Sequence, residues 1–160
     1  HGHKNIVVVG GYLSKNQISY ARYLGCRKGF ETCGLSFDPE QNYVACRYSM
    51  EAGYDTVKEL LRRNSDVTAI VALSDTIAFG AMRAIQDSGR RVPEDISVTG
   101  FDGIELAQFS IPRITTIKQD TQHIATRSVE LLIKHIHYNL ESEHDIAPHN
   151  LIEGESVRTL

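Results

Sequence analysis

The run Val92-Pro93-Glu94-Asp95-Ile96-Ser97-Val98-Thr99-Gly100-Phe101-Asp102 combines a helix stop, a short apolar strand and a carboxylate. Pro93 fixes φ and closes the helical pattern before it. Ile96 and Val98 suit a buried strand over 96–99, and Gly100 gives the backbone freedom to turn. Asp102 is then delivered at the strand's C-terminal end, where open α/β sheets bind their ligands. It is a candidate ligand-facing residue. Helix capping is the competing role, since Asp is a favoured N-cap.

On either side of this run, strand-length apolar segments alternate with helical periodicity. A strand over 6–9 ends at Gly10-Gly11, and a loop over 12–16 leads to a helix over 18–32, with Gly34 beyond its end. A short strand over 44–47 precedes a helix opened by Ser49, with Met50, Tyr54, Val57, Leu60 and Leu61 on one face. After a strand within 67–73, Ser74-Asp75 caps a helix whose Gly80 and Ala84 are small enough to approach the sheet closely. A helical turn over 104–109, a strand over 114–117, a long helix over 121–137 and a polar loop over 144–149 follow, with a final strand over 151–157. Ile124, Val129, Leu131, Leu132 and Ile136 form the apolar face of the long helix. Strands alternating with helices predict an α/β fold, a mostly parallel open sheet with helices on both faces.

Composition narrows the function. With 160 residues, 41% hydrophobic and 23% charged, the chain suits one globular α/β unit. No apolar run approaches the ~18 residues that span a bilayer, so no membrane is expected. The net charge of −3 lacks the basic excess of a domain that grips phosphate backbones. Cys26, Cys33 and Cys46 show no C-x-x-C spacing and read as reduced, structural thiols of a cytoplasmic protein. The opening His1-Gly2-His3-Lys4 leads straight into a strand without signal peptide or initiator Met, as in a piece of a longer chain.

Catalytic motifs are missing. No G-x-S-x-G elbow, phosphate loop or H-E-x-x-H occurs, and His135 and His137 point about 200° apart on a helix, poor for joint metal ligation. A non-enzyme with no metal and no cofactor is expected. What remains is polyol chemistry at strand ends: Asp102, Ser74, Tyr48, and Arg22 on the first helix. Carboxylate and guanidinium groups can each engage two hydroxyls, and an aromatic ring can face the C–H side of a sugar. Singly, each has a plainer role in capping or packing. Together at one sheet edge they favour a small polar ligand.

Leu73-Ser74-Asp75-Thr76-Ile77-Ala78-Phe79-Gly80-Ala81-Met82 within 68–85, the run 92–102, and Ile111-Pro112-Arg113-Ile114-Thr115-Thr116-Ile117-Lys118-Gln119-Asp120 resemble blocks of the lactose/galactose repressor family of bacterial transcription regulators. The resemblance implies half of a periplasmic-binding-protein-like fold. Residues 1–120 would be the C-terminal effector-binding subdomain, 121–148 a helix and loop returning to a missing N-terminal subdomain, and 149–160 the returning C-terminal strand. It also implies that Arg22, Tyr48, Ser74 and Asp102 contact an effector, a sugar or related metabolite, with Gln119 and Thr121 at the hinge-side wall. Ser74 stands where sugar-responsive members commonly carry Asn, and Thr121 replaces a large apolar residue. The expected partners are that small molecule, a second copy in a homodimer, and DNA only through a missing N-terminal domain. A periplasmic sugar-binding protein for transport is the alternative.

Overall fold

Six strands form one sheet in the order β2-β1-β3-β4-β5-β6. In this computed structural model, which describes residues 1–15, 17–138 and 145–160, the strands are β1 Ile6–Gly10, β2 Tyr43–Ala45, β3 Ala69–Ala72, β4 Ser97–Asp102, β5 Thr115–Gln119 and β6 His149–Ile152. Asn16, the end of the expected 12–16 loop, and His144, the start of the expected polar loop, lie outside the described residues. β1 to β5 pair in parallel, and β6 joins β5 antiparallel. The helices are α1 Ile18–Thr32, α2 Pro39–Asn42, α3 Met50–Arg63, α4 Asp75–Asp87 and α5 Thr121–Tyr138.

A parallel sheet needs cover on both faces because its crossovers lay helices there. α1 supplies one cover, with Phe30 packed beside Val8 and Leu73. α3 and α4 supply the other, bringing Val57, Leu61, Ile77 and Ile85 against Val7, Val9, Ile70 and Val98. Serine caps start both of these helices: Ser49 Oγ accepts the Ala52 N–H at 3.1 Å and Ser74 Oγ the Ile77 N–H at 3.2 Å. Each cap is worth about 1 kcal/mol. The chain runs from β1 outward to β2, then returns past β1 to β3, so its direction reverses between β1 and β3. That reversal is the topological switch point at which such sheets bind ligands.

Several elements depart from the expected bounds. Asp38 caps a short helix, α2, that the apolar pattern does not announce, and β2 consequently starts at Tyr43 and ends at Ala45. β4 runs on to Asp102, so Asp102 ends a strand and caps no helix. Gly100 is not a turn: it lies mid-strand, where a Cβ would overlap Asp75 Oδ1 and meet Ile114 Cγ2 at 3.2 Å. The chain turns at Gly103, with φ 69°. β6 covers only His149–Ile152; beyond it Ser156 is stitched into the sheet, its Oγ donating to the Val98 carbonyl at 2.6 Å and accepting the Thr115 N–H at 2.9 Å. The apolar face of α5 does not dock on the sheet: Ile124, Val129, Leu132 and Ile136 are exposed.

Gly80 serves a different contact from the one its size suggests. A Cβ there would overlap the Met50 carbonyl oxygen and approach the Tyr54 backbone nitrogen, and one on Gly53 would come within 2.7 Å of the Ile77 carbonyl oxygen. The two glycines let the backbones of α3 and α4 touch. Gly80→Ala gains up to about 1 kcal/mol of helix propensity but forces the helices apart, at about 1–3 kcal/mol. A net loss of stability in urea unfolding is expected; a gain would mean the contact yields freely.

Candidate functional site

The C-terminal ends of the parallel strands gather three of the expected residues into one bonded cluster. Arg22 lies one turn into α1, its side chain 12% exposed. It donates from Nη1 to the Leu73 carbonyl, just past β3, and from Nη2 to Asp102 Oδ1 at 2.9 Å. Gln119, the last residue of β5, donates from Nε2 to the same Oδ1 at 2.8 Å. Oδ2 of Asp102 takes no bond among the described residues, and the buried Nε–H of Arg22 has no partner there. The cluster therefore leaves one carboxylate oxygen free for a ligand, while the Arg22 Nε–H is enclosed by protein.

The other expected residues stand differently. Tyr48, between β2 and α3, donates to or accepts from Ser19 of α1 at 3.1 Å, and its ring fits against Gly11, where a Cβ would lie 2.6 Å from Cε2. It is 39% exposed and forms a side wall one helical turn from Arg22. Ser74 is next to Leu73, yet it is only 2% exposed, and its hydroxyl is committed to the α4 cap and to Thr76 Oγ1 at 2.8 Å. Thr121 opens α5, exposed and two residues beyond Gln119, and among the described residues it makes no hydrogen bond to the cluster.

Sequence reasoning missed two contributors. Phe101 lies under Arg22, its ring centroid 4.0 Å from the guanidinium carbon, a cation–π contact that holds the side chain flat. Its place beside Asp102 in the strand was the available signal. Asp75, read only as part of a cap, is fully buried; Oδ1 accepts the Thr116 hydroxyl at 2.6 Å and Oδ2 the Ile104 N–H at 2.8 Å. Burial pushes its carboxyl above the ordinary range, against the pull of those donors.

Asp102 has φ 116°, the one non-glycine residue with positive φ among those described. Such a backbone costs about 1–3 kcal/mol and persists where surroundings fix it. Burial raises the Cys26 thiol to about 11, and all three cysteines are free thiols. Among the described residues no group of three His, Cys, Asp or Glu side chains could hold a metal ion, and no helix is long and apolar enough to cross a membrane.

The chain belongs to the periplasmic binding protein-like domain family, which matches residues 1–157. Within it, the likeness is to LacI-type regulators. The HTH-type transcriptional regulator MalR of Clostridium butyricum is 38% identical over 146 residues, covering 91% of this chain and 43% of the relative. Among solved structures, the lac repressor dimer bound to operator and the anti-inducer ONPF superposes with a TM-score of 0.88 at 29% identity, covering 99% of this chain and 54% of that one. A LacI family regulator from Enterococcus faecium with bound ribose gives 0.85 at 28% identity, covering 99% and 58%. The chain thus spans about half the length of the relatives it matches.

The backbone at Asp102 yields a direct test. Glycine accepts positive φ without a Cβ clash, so Asp102→Gly and Asp102→Ala lose the same ion pair but differ in strain. The alanine variant is expected to be less stable by about 1 kcal/mol in urea unfolding. Equal stabilities would mean the conformation carries no strain.

Proposed function

We propose that this chain is the effector-sensing part of a DNA-binding transcriptional repressor, supplying one wall of a sugar-binding cleft. The observation that carries it is the Arg22–Asp102–Gln119 cluster at the C-terminal edge of the parallel strands. Asp102 Oδ2 accepts from one sugar hydroxyl, a remaining N–H of the Arg22 Nη groups donates to another, and the Tyr48 ring faces the sugar's C–H side. Ser74 supports this wall by holding the start of α4, and Thr121 forms its hinge-side edge. Residues 1–120 make the subdomain, 121–148 return to a second subdomain outside this chain, and 149–160 come back to the sheet. The exposed apolar face of α5 supports that return.

The protein works as a two-state switch. An effector gripped by both subdomains shifts the hinge only by its differential affinity for the two arrangements. DNA is contacted by a domain outside this chain, in a cytoplasmic homodimer. The named relatives are transcriptional regulators, which favours this reading over a transport protein and over an enzyme. No catalytic step, metal or cofactor enters it.

The test is saturation-transfer NMR of this chain against pentoses, hexoses and disaccharides, D-ribose included. Binding weaker than about 10 µM is expected, since one wall supplies part of the contacts while the entropic cost of association remains. Arg22→Ala and Asp102→Ala should each abolish the signal. Silence from the wild-type chain toward every sugar counts against the reading, and low-micromolar affinity counts against a cleft shared with a second subdomain.

For the dimer, a compact surface is available apart from α5: Leu106, Phe109 and Ile111, after β4, are 50%, 74% and 90% exposed. Exposed apolar side chains this close together mark an association surface. The pair Phe109→Asp and Ile111→Asp is expected to shift sedimentation toward monomer while leaving the circular dichroism spectrum unchanged. An unaltered dimer fraction would move the interface elsewhere.

A further inference from the structure

The cluster around Arg22 does not account for Asp75. This carboxylate is fully buried on the first turn of α4, and among the described residues no cation pairs with it. Its nearest charged influence is Asp102, of like sign. A desolvated, unpaired carboxylate is costly to keep, and the strand beside it is shaped to admit it: a Cβ on Gly100 would overlap Oδ1. What the carboxylate holds is specific. Oδ2 accepts the Ile104 N–H at 2.8 Å, the Gly103 N–H also points its way, and Oδ1 accepts the Thr116 hydroxyl at 2.6 Å.

Those backbone N–H groups belong to the peptides that follow Asp102, the residue with φ 116°. Arg22 and Gln119 grip Asp102 from the side-chain end. Asp75 grips the backbone on the other side. We propose that Asp75 is a positioning residue of the effector wall: its buried carboxylate clamps the Asp102-Gly103-Ile104 turn and thereby aims the Asp102 carboxylate at Arg22 and Gln119. This rests on the reading of Asp102 as ligand-facing. Asparagine can replace the clamp, because its Oδ1 accepts from Ile104 while its amide donates to the Thr116 oxygen. Alanine cannot.

The experiment uses the ¹⁵N-labelled chain. The HN–Hα coupling of Asp102 reports its φ, and hydrogen exchange of the buried Arg22 Nε–H reports how firmly the guanidinium paired with Asp102 through Nη2 stays enclosed. In Asp75→Ala the coupling should move to an extended value and exchange should accelerate about tenfold or more, while Asp75→Asn keeps both as in wild type. A role confined to general stability would not separate these two variants at Asp102. A folded alanine variant with both readouts unchanged overturns the proposal. If Asp75→Ala does not fold, Thr116→Val decides, since it removes the hydroxyl that holds Oδ1 and so orients Oδ2 toward the Ile104 N–H. Faster Arg22 exchange supports the clamp and an unchanged rate overturns it. Saturation transfer from D-ribose and the wider sugar panel is read on the same samples. A loosened Asp102 in a chain whose wild type answers no sugar overturns the effector reading and leaves the clamp standing.

Discussion

One guanidinium ties the ligand-facing rim together. Arg22 is carried by α1, bonded to the chain just past β3, paired with the end of β4, and linked through Asp102 to the end of β5. The Phe101 ring beneath it excludes water from one side of the group. In such a partly dry setting, charge-assisted bonds are stronger and more directional than at the open surface. Elsewhere α1 meets the sheet through undirected contacts: Tyr23 edge-on to Tyr43 at 5.2 Å, and Phe30 packed beside Val8. Those contacts hold the helix down but do not fix its rotation. The bonds of Arg22 do.

The sheet makes that convergence possible. Parallel strands send all their C-terminal ends to one edge, so residues far apart in sequence meet without a special loop. Arg22, Asp102 and Gln119 come from three such connections. The glycines act at the same scale: Gly11 admits the Tyr48 ring, and Gly100 admits the Asp75 carboxylate. Each removes a Cβ where another element must come close.

Legibility in the sequence followed the range of the interaction. Strands such as β1 and β3, and the helices opened by Ser49 and Ser74, rest on local patterns and could be read directly. Arg22, Asp102 and Gln119 could be nominated because strand ends share one edge. Their mutual bonds could not, since rotamers and the Asp102 backbone depend on packing from α1 and β5. Gly80 shows the limit well: its smallness signals a close approach but not which neighbour approaches, and the neighbour is α3. Ser74 shows the converse, a hydroxyl with the right chemistry that the local cap had already claimed. β2 shifted because Asp38 and Pro39 began a turn of helix that no apolar periodicity marks. The short β6 reflects Ser156, whose backbone and side chain bond into the sheet away from a regular ladder.

Gln119 leaves one further consequence. It touches Asp102, and only Asp120 separates it from α5, whose first turn Asp120 caps through the His123 N–H at 2.9 Å. At 1.5 Å per residue, this 18-residue helix is a rod of about 27 Å. A tilt of about 10° at its base would sweep its far end through about 5 Å. The carboxylate thus sits at the fulcrum of a lever, and a small displacement there is geometrically magnified along the rod.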